Sequence, residues 1–153
     1  MGLREQLTDD LKEAMRQQDK VRKRTIRSVV TGIQRAETEL DNTGQRVILS
    51  EDDIVVLIAR QAKQREESII EYQRGGREDL VAEEQAELAI LKAYLPQQLG
   101  RAEIEAQARQ VIAEVGATDP RDIGKVMKPL LARLKGKADG AVVNQVVREL
   151  LGG

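Results

Sequence analysis

The chain has 153 residues, of which 41% are hydrophobic and 33% charged, and its 25 basic and 26 acidic side chains leave a net charge of −1. This length accommodates one ordinary domain or two small ones, and the composition is that of a soluble globular protein. The absence of cysteine and histidine excludes disulfides, thiolate nucleophiles, cysteine-ligated zinc and histidine-based hydrolytic triads.

Two further absences narrow the class of protein. The only aromatic residues are Tyr72 and Tyr94, which argues against single-strand recognition by stacked bases and leaves phosphates and shape as the basis of any nucleic-acid contact. No run of eighteen apolar residues occurs, and the first residues lack the apolar core of a signal peptide. We therefore expect a cytoplasmic protein with no membrane partner.

The first 95 residues predict four helices. Apolar residues spaced by four mark two helices separated by a break near Gln18, and Ser50 before an acidic turn predicts the N-cap of a third. Gly75-Gly76 predicts the corner that follows, and Pro96 predicts the end of the fourth helix. The apolar residues of these helices are Leu3, Leu7, Leu11, Ala14 and Met15; Ile26, Val29, Val30, Ile33 and Leu40; Ile54, Leu57, Ile58, Ala62, Ile69 and Tyr72; and Leu80, Val81, Leu88, Leu91 and Leu95.

The charge balance changes at Pro96. Residues 1–95 contain 16 basic and 19 acidic side chains, whereas residues 96–153 contain 9 and 7. We therefore predict two domains, 1–95 and 96–153.

The second part predicts three more helices. The first ends at Gly116, the second begins at Asp119-Pro120 and the third is capped by Asp139. Pro129 falls inside the second of these and is expected to kink or split it, at a cost of about 3 kcal/mol unless packing compensates. Residues 142–147 are rich in valine, but their spacing favours a helix over a strand. The apolar residues are Ile104, Ala108, Val111, Ile112 and Val115; Ile123, Met127, Leu130, Leu131 and Leu134; and Val142, Val143, Val146, Val147, Leu150 and Leu151.

The fold class expected is therefore all-α, with a four-helix N-terminal domain followed by a small three-helix C-terminal domain.

A cluster of basic residues near the C-terminus is the main candidate site. Between residues 124 and 138 the sequence contains five basic side chains and no acid; they are Lys125, Lys128, Arg133, Lys135 and Lys137. They could meet one phosphate backbone, which would make binding strongly salt-dependent. They could equally form a solvated surface that favours the end of a helix.

Other charged groups predict surface roles. The basic run from Lys20 to Arg27 points all round its helix, so its members are expected to be exposed or paired with acids. The acidic residues Glu66, Glu67, Glu71, Glu78 and Asp79 are interpreted as surface ion-pair partners. We predict no catalytic residue, no metal site and no cofactor.

The sequence resembles the GatB/YqeY family, specifically its stand-alone YqeY-like members, from Leu3 almost to the C-terminus. The segments that carry the resemblance are 75–81 (GGREDLV), 86–91 (AELAIL), 94–99 (YLPQQL), 124–127 (GKVM) and 135–140 (KGKADG).

The resemblance implies a C-terminal part similar to the tail domain of the B subunit of the tRNA-dependent amidotransferase, which contacts the tRNA body. The residues that match the tail pattern are Val126, Met127, Lys128, Gly136, Ala138, Val143 and Asn144, and the family motif implied comprises Gly124, Met127, Gly136, Ala138 and Asn144. The family label implied is a carbon–nitrogen ligase with glutamine as amide donor. The catalytic cradle of that B subunit has no counterpart in this chain, so we expect no catalysis by the chain alone.

The leading hypothesis is a non-catalytic, tRNA-binding or tRNA-associated module related to amidation of mischarged tRNA, with the five basic residues holding phosphates. The partners implied are tRNA and components of the amidotransferase or of aminoacyl-tRNA synthetases. A helical protein-interaction adaptor without a nucleic-acid role and an independent enzyme are the alternatives.

Overall fold

A computed structural model describes residues 2–39 and 41–152, and every regular element within them is a helix. The predicted all-α class is therefore confirmed. Leu40, which we assigned to the second helix, lies outside the described residues. The chain divides into two compact units, Met1–Leu95 and Pro96–Gly153.

The described residues of the first unit form four helices around one core. They are α1 (Leu3–Arg16), α2 (Lys20–Thr38), α3 (Glu51–Arg74) and α4 (Glu78–Lys92). The core is built from the predicted apolar faces, with Leu7, Ile26, Val29, Ile58 and Leu91 almost completely buried. Burial of these side chains is the main stabilising contribution to this unit.

Local signals set the ends of these helices. Gln18 adopts a left-handed conformation with φ of 56°, which interrupts the helical conformation between α1 and α2 as predicted. Ser50 forms a capping box with Asp53 at the start of α3, and Gly76, with φ of 69°, makes the corner before α4.

Two details of α1 and α4 differ from the expectation. Met15, predicted on the apolar face of α1, is half exposed, because it lies at the end of that helix. The last helix of this unit ends at Lys92 rather than at Leu95. Proline disfavours the helical conformation of the residue before it, so α4 ends before Pro96. Leu95 still packs against the core.

In the second unit, residues 96–152 form three helices and one turn of 3-10 helix. They are α5 (Arg101–Val115), the 3-10 turn (Pro120–Asp122), α6 (Ile123–Arg133) and α7 (Gly140–Leu150). Gly116 has φ of 69° and ends α5 as predicted. The side chain of Asp139 caps α7 by accepting a hydrogen bond from the N–H of Ala141, which confirms that prediction also.

The region around α6 departs from the expectation. Asp119 caps the 3-10 turn, so α6 begins at Ile123 instead of at Pro120. The predicted split at Pro129 does not occur: α6 continues through the proline to Arg133. Val126 and Leu130, on either side of the proline, are completely buried in the core of this unit. We attribute the continuity of α6 to this packing, which offsets the lost backbone hydrogen bond.

Candidate functional site

The basic cluster, defined as Lys125, Lys128, Arg133, Lys135 and Lys137, lies on α6 and the turn that follows it. All five residues are exposed. On α6 this placement follows from the helix, because Val126 and Leu130 face the core and Lys125 and Lys128 lie on the opposite side.

Two members of the basic cluster are paired with carboxylates. Arg133 donates a hydrogen bond to Glu114 of α5. The Nζ of Lys125 lies 3.6 Å from Oδ1 of Asp122, and the Lys125 side chain is 70% exposed. Hydrogen bonds from the backbone N–H of Thr118 and then of Asp119, followed by the charge of Lys125, hold the pKa of Asp122 below its ordinary value. Exposed pairs of this kind contribute little to stability and can exchange partners.

The remaining members differ in their surroundings. Among the residues that the structure describes, neither Lys128 nor Lys137 has an ion-pair partner. Lys135 is exposed in the turn after α6. Lys125 and Lys128 are three positions apart on one helix, so their side chains are neighbours. The structure therefore brings these two lysines together and directs Arg133 towards α5.

We define the α6 face as Gly124, Lys125, Lys128, Leu131 and Ala132, which are the exposed residues on the side of α6 away from the core. Leu131 is 39% exposed. Leu131 is one of the apolar residues by which this helix was predicted, and it does lie on α6. Leu130 and Leu134 enter the core, whereas Leu131 lies on the side away from it.

The residues of the family pattern have mainly structural positions. Gly136 is buried with φ of 77°, and its carbonyl accepts a hydrogen bond from Nε2 of Gln98 at 2.8 Å. Met127 and Ala138 pack against the core of the second unit. Asn144 accepts a hydrogen bond from Nε of Arg148 within α7 at 2.8 Å. Only Gly124 is exposed without a contact of this kind.

A buried ion-pair network in the first unit was not predicted. Glu87 of α4 is 8% exposed, and it accepts a hydrogen bond from Nε of Arg24 at 2.8 Å. Nε of Arg65 on α3 lies 2.8 Å from the other carboxylate oxygen of Glu87. A signal for it exists, because Glu87 precedes Leu91 by four positions and so shares the core-facing side of α4. The network joins α2, α3 and α4; its shared carboxylate is buried, whereas the Arg24 side chain is 54% exposed.

Several of the other charged residues singled out in the sequence form ion pairs. In the basic run of α2, Arg22 pairs with Asp10 at 3.5 Å and Arg24 with Glu87. Three of the five acidic residues singled out are surface partners; the pairs are Glu66 with Lys92, Glu71 with Arg74, and Asp79 with Arg77. This supports the surface interpretation of these carboxylates.

The described residues contain neither a metal-binding cluster nor a membrane-spanning helix. In those residues, no group of three or more potential ligand side chains is arranged to hold a metal ion. No helix there has the length and apolar character needed to cross a membrane.

Comparison with known proteins identifies the family. The model of the Yqey-like protein family matches residues 4–151. The chain belongs to this family. The match covers both compact units, and it confirms the resemblance that the motifs indicated.

Relatives of this YqeY-like chain carry one shared name, "Altered inheritance of mitochondria protein 41, mitochondrial". The protein of Lachancea thermotolerans is 36% identical over 74% of this chain and 60% of its own length. Those of Pyrenophora tritici-repentis and of Saccharomyces cerevisiae strain YJM789 are each 31% identical over 95% of this chain, and the matches cover 79% and 66% of their own lengths. The chain thus spans less than two thirds of two of these three proteins.

These names contradict two predictions. The expected tRNA-associated role in amidation is wrong, because these relatives are named for the inheritance of mitochondria and not for tRNA or an amidotransferase. The expected cytoplasmic location is wrong as well, because they are named as mitochondrial proteins. Physically, a run of positive charge in a sequence does not specify a polynucleotide, and Arg133 and Lys125 of this YqeY-like chain are already paired with carboxylates.

Proposed function

We propose that the chain is a helical protein-interaction module whose α6 face attracts a partner protein with an acidic surface. The observation that carries this proposal is the position of Lys128, which is exposed beside Lys125 and has no ion-pair partner among the described residues. Lys128 and the neighbouring Lys125, whose exposed pair with Asp122 at 3.6 Å is weak and can exchange, give that surface a local positive potential. Such a potential increases the rate of encounter with an acidic partner.

We also propose that the two compact units are separate domains, a four-helix domain of residues 1–95 and a three-helix domain of residues 96–153. Each unit contains its own cluster of buried apolar side chains, which is the usual requirement for independent folding. In this arrangement the C-terminal domain supplies the α6 face.

We propose further that this interaction is part of the function that the mitochondrial relatives perform. The support is the length of the shared region, which covers 95% of this chain in the Saccharomyces cerevisiae protein. A chimera tests it, in which this chain replaces the matched region of that protein. Normal inheritance of mitochondria in cells that contain only the chimera is expected, and inheritance no better than in cells without the protein would contradict the proposal.

The interaction itself is tested by affinity capture with the full chain. The bait is compared with the double variant Lys125→Glu/Lys128→Glu in extracts treated with nuclease. A partner that binds the original chain, survives the nuclease and is lost from the variant is expected. The control is Lys12→Glu/Lys20→Glu, which makes the same change of charge at exposed positions of the first unit. Equal loss of the partner from both variants, or release of the partner by nuclease, would contradict the proposal.

A further inference from the structure

Gly124 occupies a position where the fold does not require glycine. It is the second residue of α6, it is exposed, and its φ is not in the left-handed region. A Cβ atom built on it would meet nothing within 4 Å. Glycine in a helix is less stable than alanine because the unfolded chain has more freedom to lose. No contact within the described residues therefore requires glycine at this position, whereas close approach of a partner molecule would.

Other glycines of this protein have internal explanations. Gly116 and Gly136 adopt left-handed conformations that other residues rarely adopt. In the first unit, a Cβ on Gly32 would lie 3.2 Å from Nε2 of Gln61, so that glycine permits close packing between α2 and α3. Gly124 differs from these three, because its φ is not left-handed and a Cβ on it would meet nothing within 4 Å. It therefore leaves an open notch on α6.

The notch has charged and apolar neighbours on the α6 face. Lys128 and Leu131 follow Gly124 by four and seven positions, so all three lie on the same side of the helix. Leu131 is 39% exposed, and its Cδ2 lies 3.7 Å from where a Cβ on Gly140 would be. A strip that combines a notch, two lysines and an exposed leucine therefore continues to the start of α7.

We infer that the α6 face binds an acidic amphipathic helix of a partner protein, whose backbone passes close to α6 at Gly124. This inference rests on the proposed function and names the partner for the same surface. Carboxylates one turn apart on the partner match the spacing of Lys125 and Lys128, and an apolar residue beside them contacts Leu131. The absence of a side chain at Gly124 lets the two helices approach closely.

The charge and shape of the strip favour a protein helix over other anionic partners. A phosphate backbone or a lipid surface would form ionic contacts with the lysines. Neither presents a helix backbone that could approach α6 closely at Gly124 beside the exposed Leu131. α6 has 11 residues and is thus about 16 Å long, so the contact is small. Interfaces of this size are typical of transient complexes with affinities in the micromolar range.

The test uses the full chain and a synthetic helical peptide of about 18 residues, long enough to be helical, with glutamates spaced by four and leucines beside them. Binding is measured by fluorescence anisotropy. Gly124→Leu, which fills the notch, is expected to weaken binding by about tenfold or more. The matched control Ala106→Leu adds the same side chain at an exposed position of α5 and is expected to bind like the original chain. Thermal unfolding verifies that both variants fold.

Two further arms keep the inference falsifiable. Lys125→Glu/Lys128→Glu is expected to lose the glutamate peptide and to gain affinity for the same peptide with lysines in place of glutamates. Full binding by Gly124→Leu, together with loss in the lysine variant, would overturn the close approach and leave the proposed function in place. Unchanged binding in both variants would overturn both. Vesicles of phosphatidylglycerol that bind the chain as tightly as the peptide, and compete with it, would overturn the protein-helix partner.

Discussion

Gln98 donates a hydrogen bond from Nε2 to the backbone carbonyl of Gly136, at 2.8 Å. The two residues are 38 positions apart. They belong to segments 94–99 and 135–140, which carry the resemblance to the family. The N–H of Leu99 donates in the same way to the carbonyl of Lys137, at 2.9 Å. The segment before α5 is thus held against the turn after α6, and the role of these two motifs is to close the second unit.

The first prediction concerns Gly136, whose φ of 77° is unfavourable for residues with a side chain. Gly136→Ala is expected to lower the free energy of unfolding by about 1 kcal/mol or more. Chemical denaturation measures this. The control is Gly124→Ala, which has ordinary backbone angles and open space around it and is expected to raise the free energy of unfolding by up to about 1 kcal/mol. Equal effects of the two substitutions would contradict the assigned role of the turn.

The second prediction concerns Glu87, the carboxylate shared by Arg24 and Arg65. Glu87→Gln keeps the shape and removes the charge, which leaves Arg65 with the more distant carboxylate of Glu84, whose Oε2 lies 3.6 Å from Nε of Arg65. We expect a loss of about 1–2 kcal/mol, less than for a completely buried pair because the Arg24 side chain is 54% exposed and can regain water.

The matched control for Glu87 is Glu71→Gln. Glu71 forms an ion pair with Arg74 and is 69% exposed, so its effect should stay within about 0.5 kcal/mol. Denaturation curves of both variants give the comparison. A Glu87 effect no larger than that of Glu71 would show that the network does not stabilise the first unit.

Some parts of this fold could be predicted from sequence because they depend on neighbouring residues. Asp139 and Gly116 act on the backbone within a few positions, so their roles as helix ends follow from local chemistry. Leu131 and Glu87 depend instead on which other helices pack against their own. Leu131 is exposed because α6 packs on the core through Leu130 and Leu134 and leaves Leu131 on its outer side, and Glu87 is buried where two arginines from α2 and α3 reach it.

The candidate site was predictable as a set of charges and not as a surface. The five basic residues were recognisable because no acid lies among them. The pairing of Arg133 with Glu114 joins residues 19 positions apart on different helices, and no pattern within α6 indicates it. The open notch at Gly124 likewise becomes visible only when its surroundings are known.

The third prediction tests whether the two units fold independently. Leu7 and Leu130 are almost completely buried in separate cores, and replacing either with alanine should cost about 3 kcal/mol in its own unit. In hydrogen exchange of the full chain, Leu130→Ala should accelerate exchange in α5–α7 and leave α1–α4 unchanged. Leu7→Ala should do the reverse. Acceleration throughout the chain by either variant would show a single cooperative unit.

The fourth prediction concerns acid. Arg4 donates two hydrogen bonds to Glu37, at 3.0 and 2.8 Å, and the N–H of Leu49 donates a third at 2.9 Å. The hydrogen bonds from Arg4, and then that from Leu49, hold the pKa of Glu37 below its ordinary value of 4.5. A carboxylate with a lowered pKa stabilises the folded state above the unfolded pKa, and that contribution is lost as the pH falls through the folded pKa.

Stability should therefore fall as the pH is lowered below about 4.5, and Glu37→Gln should reduce this dependence. Denaturation at a series of pH values measures the slope. Since Asp41 also has a lowered pKa, Asp41→Asn serves as the comparison for the loop that follows α2. An unchanged slope in the Glu37 variant would contradict a linking role for this residue between α1, α2 and the start of α3.

The fifth prediction concerns base and Tyr94. Its hydroxyl donates to Oδ2 of Asp10 at 2.5 Å. Burial first, and then the hydrogen bond and charge of Asp10, raise the pKa of Tyr94 well above its ordinary value of 10.0. The unfolded chain then loses this proton at a lower pH than the folded chain, so the stabilisation is complete below the unfolded pKa and is lost as the pH rises above it.

Absorbance near 295 nm should show one tyrosine that titrates only with unfolding, and Asp10→Asn should bring its titration to lower pH. If both tyrosines of the unaltered chain titrate near pH 10 without unfolding, Tyr94 does not hold its proton in this bond.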